Sequence, residues 1–214
     1  METSERAYEK IINYVERQIM QGSYKKGDKL PPERELAALL GASRNSVREG
    51  LDILERMGVI SSQQGAGNFI SDNFEKTLIE VMTLMFILEE GTFREISEFR
   101  YALETQALSL AMKNITEEQQ TDIEYYMSML EQTPGEEQKA YYDKKIHYTI
   151  TAASGNRFII DNLQALTEVM DVFIKDMRAK ILSDGSNSEG LMSAHRQMVE
   201  ALREKDESKG LKAL

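Results

Sequence analysis

The sequence predicts a mainly α-helical protein with two domains, a small N-terminal one and a larger C-terminal one. The chain has 214 residues, more than a typical domain of about 100 to 150 residues. It contains three prolines, and most of it is rich in Glu, Leu, Ala, Lys and Met, which favour helices. One stretch, residues 59–70, has the β-prone ends and glycine-rich centre of a β-hairpin. We therefore predict domains at residues 1–72 and 73–214.

The first domain begins with three helical segments that precede the hairpin. The first helix spans about residues 4–20, where apolar residues recur at helical spacing on one side. The second lies between a pair of prolines, which favour a helix start, and Gly41, which favours a helix end. Ser43 is the expected N-cap of the third helix, which closes at Gly58.

The second domain is predicted to be a bundle of six or seven helices. Thr92 with Glu95, and Thr116 with Gln119, have the spacing of capping boxes and mark two helix starts. The helix before them is apolar on several sides, so we expect it to be well buried. The predicted helices of this domain span about residues 73–90, 92–114, 116–133, 136–154, 157–182, 189–205 and 206–214.

Composition excludes several classes of protein. No stretch reaches the ~18 uninterrupted apolar residues of a membrane helix, and the first residues lack the apolar core of a signal peptide. We therefore expect a cytoplasmic protein. The absence of cysteine excludes disulfides, zinc–thiolate sites and cysteine nucleophiles, so any metal site must use His, Asp and Glu.

The net charge of −10 is unevenly divided between the predicted domains. Residues 1–72 hold 10 basic and 11 acidic side chains, whereas residues 73–214 hold 16 and 25. An acidic domain is repelled by nucleic acid. The near-neutral N-terminal domain can still bind phosphate if its basic side chains share one face.

Three helices followed by a hairpin are the pattern of a winged helix-turn-helix domain, whose third helix enters the major groove of DNA. Arg44 and Arg48 are one turn apart at the start of that helix, so they lie on one face. Arg34 on the second helix is placed to join them. Arginines in such positions bind guanine or phosphate. The alternative is an ordinary solvated helix face, since the same helix carries acidic residues toward its C-terminal part.

The residues of this domain resemble the DNA-binding domain of the GntR family of bacterial transcription regulators. Residues 27–37 read GDKLPPERELA and residues 43–51 read SRNSVREGL, and the resemblance extends over nearly all of residues 8–70. Family wings often carry Arg or Lys where this chain has Gln63 and Gln64. The residues that the resemblance assigns to operator binding are Arg34, Ser43, Arg44, Asn45, Arg48, Gly65 and Gly67.

The second domain is similar to the FCD ligand-binding domain of the FadR-type branch of that family. The similarity implies a small carboxylate effector and an inward-facing arginine, Arg100, that binds it. Arg100 and Glu104 are four residues apart, so a surface ion pair is the alternative role for this arginine. The segments that carry the similarity are residues 98–104, 143–147, 154–156 and 195–202, within about residues 74–212.

A metal site is the second implication of this similarity. Asp143 and His147 are four residues apart on a predicted helix and project from one face, so they can hold a divalent cation such as Zn²⁺ or Ni²⁺ with His195 from another helix. Many metal-binding FCD domains use a further histidine on the last helix, whereas no histidine follows His195 here. The site then has three protein ligands plus water or effector, or it is degraded, or the chain is truncated. A surface Asp–His pair with an unrelated histidine is the remaining alternative.

We predict an effector-responsive transcription regulator without enzymatic activity, and we expect it to act as a repressor. It should bind a palindromic operator as a homodimer, since one winged domain has a small footprint. One alternative is a metal-dependent hydrolase that uses Asp143, His147 and His195 to activate water. Another is a DNA-binding protein whose helical domain serves only to dimerise.

Overall fold

A computed structural model of the protein describes residues 6–71, 74–182 and 188–214. The chain divides into two compact units, Met1–Leu78 and Ile79–Leu214. The described residues form ten helices and one two-stranded sheet, so the mainly α fold class is confirmed. The predicted domain boundary after residue 72, the predicted start of the first helix at Ser4 and the predicted loop at residues 183–187 lie outside the described residues.

The N-terminal unit has the predicted order of three helices and a hairpin. Ser43 caps the third helix, because its hydroxyl oxygen accepts a hydrogen bond from the Ser46 backbone N–H at 3.1 Å. Gly41 ends the second helix in the left-handed conformation, with φ of 60°. The elements are α1 (Glu9–Met20), α2 (Glu33–Leu40), α3 (Arg44–Arg56), β1 (Ile60–Gln63) and β2 (Gly67–Ile70).

The crossing of α1 and α3 depends on a glycine at the contact. A Cβ atom on Gly50 would lie 2.8 Å from the Cβ of Ile11 and 2.9 Å from the carbonyl oxygen of Tyr8, closer than packed atoms approach. Glycine therefore lets α3 lie against α1. The core that these helices enclose contains the buried residues Ile11, Val15, Leu30, Leu36, Val47, Leu51, Leu54, Ile60 and Ile70.

The hairpin has a third pairing partner that the sequence did not predict. The Leu30 backbone N–H donates to the Asn68 carbonyl oxygen at 2.8 Å, and the Ile70 N–H donates to the Asp28 carbonyl at 2.8 Å. Residues 24–30, which read as a polar loop, therefore end in a short segment paired with β2. Leu30 is buried in the core of this unit, and Tyr24 at the other end of the segment packs against the same core.

The C-terminal unit confirms the predicted helical bundle. Both capping boxes form, and in the first of them Thr92 and Glu95 bond each other's backbone N–H. Among the described residues, no helix combines the length and apolar character needed to cross a membrane. The remaining helices are α4 (Glu75–Leu88), α5 (Phe93–Asn114), α6 (Glu117–Gln132), α7 (Glu136–Ala153), α8 (Arg157–Leu182), α9 (Ser188–Glu204) and α10 (Glu207–Ala213).

The expectation that α4 is well buried is wrong. Met82 is buried, but five other large apolar side chains of this helix are between 52% and 79% exposed. Four of them recur at intervals of three and four residues and so lie on one side of the helix. An apolar helix needs a partner surface, but its sequence does not say whether that surface belongs to the same chain. We call this set the α4 stripe, and it consists of Val81, Leu84, Met85 and Leu88.

Candidate functional site

The side chains predicted to bind DNA are exposed at the start of α2 and α3 and at the tip of the hairpin. Arg34 lies in the first turn of α2, and Arg44 and Asn45 begin α3. Gly65 is exposed in the turn between β1 and β2, and Gly67 is exposed as the first residue of β2. The hydroxyl of Ser43 is engaged in the helix cap. The start of α3 thus carries basic groups together with backbone N–H groups that favour an anion.

Arg48 is held by a carboxylate that sequence reasoning did not single out. Its Nε donates to Glu33 Oε1 at 3.2 Å and its Nη2 donates to Glu33 Oε2 at 2.8 Å, which ties α3 to α2. The hydrogen bonds and the charge of Arg48 lower the pKa of Glu33. The Arg48 side chain is still 61% exposed. The two residues are 15 positions apart, so helical spacing gave no signal of this pair.

Three potential metal ligands converge in the C-terminal unit. Asp143 and His147 lie one turn apart on α7, and His195 comes from α9. His195 Nε2 lies 2.7 Å from Asp143 Oδ1 and 3.3 Å from His147 Nε2. One ligand atom of each residue lies within 4.8 Å of the others. His195 is only 3% exposed, so the alternative of an unrelated surface histidine is wrong.

The donor set fits a divalent transition metal. Ligand bonds of about 2.0 Å place neighbouring ligand atoms about 3.3 Å apart in a tetrahedron and about 2.9 Å apart in an octahedron. The observed separations of 3.3 Å and 2.7 Å are close to these values. Two imidazole nitrogens and one carboxylate oxygen suit Zn²⁺ or Ni²⁺. Asp143, His147 and His195 would hold the cation and leave positions for other ligands.

Glu104 joins this cluster to Arg100. Arg100 donates from both Nε and Nη2 to Glu104 Oε1, each at 2.8 Å, and His147 Nδ1 lies 3.2 Å from the same oxygen. The Arg100 and Glu104 side chains are 25% and 15% exposed. Arg100 therefore forms the i,i+4 ion pair and is partly buried beside the potential metal ligands, while its role in effector binding stays a prediction. The sequence indicated Glu104 only as an ion-pair partner of Arg100, from their i,i+4 spacing, and it did not indicate the contact of Glu104 with His147.

The two carboxylates of the cluster are ionised at neutral pH. Burial raises the pKa of Glu104, but hydrogen bonds and charge from His147 and Arg100 outweigh it and hold the pKa below its ordinary value. Burial likewise raises the pKa of Asp143, and the hydrogen bond with His195 and nearby positive charge bring it below the ordinary value. Arg100 balances one of these two ionised carboxylates, and the second, Asp143, contacts His195.

Comparison with known proteins identifies the family. Residues 7–70 match the family model described as "Bacterial regulatory proteins, gntR family", and residues 95–214 match the model described as "FCD domain". The chain belongs to the GntR family. Its FCD domain covers more than half of its length, and the GntR match coincides with the winged helix-turn-helix unit.

Several GntR-family relatives are similar over most of their length. An Escherichia coli (strain K12) protein, provisionally named as an L-lactate dehydrogenase operon regulatory protein, is 27% identical over 98% of this chain and 82% of its own. The HTH-type transcriptional repressor YtrA of Bacillus subtilis (strain 168) is 36% identical over 51% of this chain and 83% of its own. The solved structure of Streptococcus agalactiae GntR has the same fold, with a TM-score of 0.59 and 22% identity over 96% of this chain and 94% of that one.

The lowered pKa values of Glu104 and Asp143 predict that the metal-free protein loses stability in acid. In the unfolded chain these carboxyl groups return to pKa values of about 4.3 and 3.9, so the unfolded chain binds more protons as the pH falls. Their stabilisation is complete above that range, declines from about pH 5, and is lost below the folded-state pKa values. Urea unfolding at about pH 7, 5 and 4 measures the decline. Glu104→Gln should show a smaller decline than wild type, and an equal decline would contradict this assignment.

Proposed function

We propose that this GntR-family protein is a cytoplasmic, homodimeric repressor whose FCD domain binds a small carboxylate through a divalent metal ion. Binding of the carboxylate changes the affinity of the winged domain for its operator. The convergence of Asp143, His147 and His195 beside the Arg100–Glu104 pair carries this proposal. Similarity to the repressor YtrA supports repression rather than activation, although another relative is named as the Glc operon transcriptional activator.

The exposed side chains at the start of α3 support the DNA-binding role. Arg44 and Arg48 are exposed in the first turns of α3 and would contact base edges in the major groove. Ser43 and Asn45 flank Arg44, and Arg34 is exposed in the first turn of α2. These residues would contact the DNA backbone, as would the wing at Gly65 and Gly67. DNA in the nucleoid is the partner, which is why we place the protein in the cytoplasm.

Removing Arg44 or Arg48 should weaken operator binding by about 1 to 3 kcal/mol if these side chains contact base edges. Fluorescence anisotropy with an operator selected from random DNA by the wild-type protein measures the loss. Arg56→Ala is the matched control, since Arg56 is an exposed arginine in the last turn of the same helix. Loss of a contact to phosphate alone would weaken all sequences equally and reduce the salt dependence. Unchanged binding by both Arg44→Ala and Arg48→Ala would contradict the assignment of α3.

The α4 stripe supports the homodimer. Exposed apolar side chains at i, i+3, i+4 and i+7 form the kind of seam that a second helix covers. The same stripe on a second copy is self-complementary under two-fold symmetry. We therefore place the dimer contact on α4, and two-fold symmetry matches a palindromic operator.

A charge in the α4 stripe should dissociate the dimer. Leu84→Lys places an ammonium group in the apolar contact, and analytical ultracentrifugation at micromolar concentration should show the shift from dimer to monomer. Ile87→Lys is the control, because Ile87 is also exposed on α4 but lies outside the stripe. A monomeric wild type, or a dimer that Leu84→Lys leaves intact, would rule out this interface.

The charge of the cluster supports a metal-dependent carboxylate site. The set of Arg100, Glu104 and Asp143 has one net negative charge, and a divalent cation makes it positive, so an anion is then attracted. A 2-hydroxy carboxylate offers two oxygens to a cation with open positions. The name of the E. coli relative refers to an L-lactate dehydrogenase operon, which makes L-lactate the first effector to test.

Metal binding should depend on both histidines. We expect one equivalent of Zn²⁺ or Ni²⁺ per chain in isothermal titration calorimetry, and His147→Ala and His195→Ala should each weaken binding at least tenfold, because each removes one of three protein ligands. Glu137→Ala, at an exposed acidic residue of α7, is the control and should bind as wild type does. A wild type that takes up no metal without chelators would contradict the metal-dependent site. If His147→Ala and His195→Ala also left effector binding unchanged, the carboxylate would bind through Arg100 and apolar contacts alone.

The hydrolase alternative has less support. Such an enzyme needs a general base beside the metal-bound water. Glu104 is the carboxylate next to the cluster, and its Oε1 already accepts hydrogen bonds from Arg100 and His147. The membership in a family of regulators also favours a regulator.

A further inference from the structure

We propose that Glu104 makes carboxylate binding at this site depend on the metal. The inference rests on the metal-dependent function proposed above and adds a positioning residue to it. Glu104 acts on two groups at once, since its Oε1 accepts from the guanidinium of Arg100 and lies 3.2 Å from His147 Nδ1. It thereby orients His147 for metal binding and restrains Arg100 from binding an anion in the absence of metal.

The first effect is on the tautomer of His147. A neutral imidazole has one N–H, and a carboxylate beside Nδ1 holds the proton on that nitrogen. The lone pair of Nε2 is then available, and Nε2 is the atom that lies 3.3 Å from His195 Nε2. Glu104 is therefore the acceptor that turns the correct nitrogen of His147 toward the shared metal position.

The second effect is on Arg100. A guanidinium can bind a carboxylate in two-pronged fashion along its Nε–Nη2 edge or along its Nη1–Nη2 edge. Glu104 occupies the first edge with two contacts of 2.8 Å. The hydrogen-bond partner of Nη1 within the described part of the chain is the sulfur of Met170 at 3.8 Å, a weak acceptor. An effector carboxylate is therefore directed to the Nη1–Nη2 edge.

The third effect is electrostatic, and it predicts opposite changes in the binding of cations and anions. Glu104 is paired with Arg100, and Asp143 places a second carboxylate in the site, so a divalent cation offsets negative charge that would otherwise oppose an incoming carboxylate. Replacing Glu104 with glutamine removes one negative charge while keeping the shape of the side chain. The substitution should weaken binding of a cation and strengthen binding of an anion in the absence of metal. A merely structural role would weaken both.

The test compares full-length Glu104→Gln with wild type in two titrations. Zn²⁺ affinity, measured by competition with a chelator, should fall about 10- to 100-fold, the usual effect of losing a carboxylate behind a histidine ligand. L-lactate, titrated into the metal-free proteins, should bind the variant more tightly than the wild type. Unchanged Zn²⁺ affinity in a folded variant, or no gain in L-lactate binding without metal, would overturn the proposal.

Glu98→Gln is the matched control. Glu98 lies on the same helix and pairs with Arg94 at the same i,i+4 spacing, but both side chains are exposed to solvent. This variant should match wild type in both titrations, and if it shifts them as Glu104→Gln does, the effect is not specific to Glu104.

A measurement on the wild type covers the case in which Glu104→Gln does not fold. Nitrogen NMR of the Zn²⁺-loaded wild type should show His147 protonated at Nδ1 and bound to metal through Nε2, and ligation through Nδ1 would overturn the proposal. A wild type that binds no Zn²⁺ contradicts the proposed function itself. A variant that binds Zn²⁺ as tightly as wild type contradicts only the role of Glu104.

Discussion

Charged side chains enclosed between α5, α7 and α9 constrain the C-terminal unit, because partly buried carboxylates are costly unless they are paired. Glu104 is paired with Arg100 and His147, and Asp143 is paired with His195. Each of these pairs except Arg100–Glu104 joins two helices, so the helices must keep their relative positions for the charges to be satisfied. The cluster has two carboxylates for one guanidinium, and the proposed order of binding, a cation before an anion, follows from this excess of acidic groups.

The two proposed recognition sites share one feature, an arginine that is paired with a glutamate. Arg48 in the winged unit and Arg100 in the bundle are both held by a glutamate in the free protein, Glu33 in one case and Glu104 in the other. A paired arginine is already oriented, and the carboxylate also reduces its attraction for any passing anion. If Arg48 and Arg100 bind ligands as proposed, only a ligand with further contacts can overcome that competition, and each glutamate would favour specific over non-specific binding.

Local features of the fold were predictable from the sequence, and long-range ones were not. The cap at Ser43, the capping box at Thr92 and the end of α2 at Gly41 depend on neighbouring residues, and each forms as predicted. The exposure of α4 depends on a partner surface that its own sequence does not specify. The segment before Leu30 pairs with β2 over a separation of about 40 residues, which no local pattern indicates.

The candidate site divides in the same way. Helical spacing alone places Asp143 and His147 on one face, but the approach of His195 came from family resemblance and depends on the packing of α9 against the bundle. The role of Glu104 becomes visible only when α5 and α7 are placed together, because its second partner, His147, lies 43 positions away in the sequence. Spacing thus indicated Asp143 and His147, family resemblance added His195, and neither indicated the contacts of these residues with Glu104.

The reciprocal coupling of metal and carboxylate tests the central claim most directly. The affinity of L-lactate should be measured with and without saturating Zn²⁺, and the affinity of Zn²⁺ with and without saturating L-lactate, on the same wild-type preparation. If the metal and the carboxylate share this site, each ligand tightens the other, and thermodynamic linkage requires the two factors to be equal. L-lactate binding of the same strength in the presence and absence of Zn²⁺ would contradict the account.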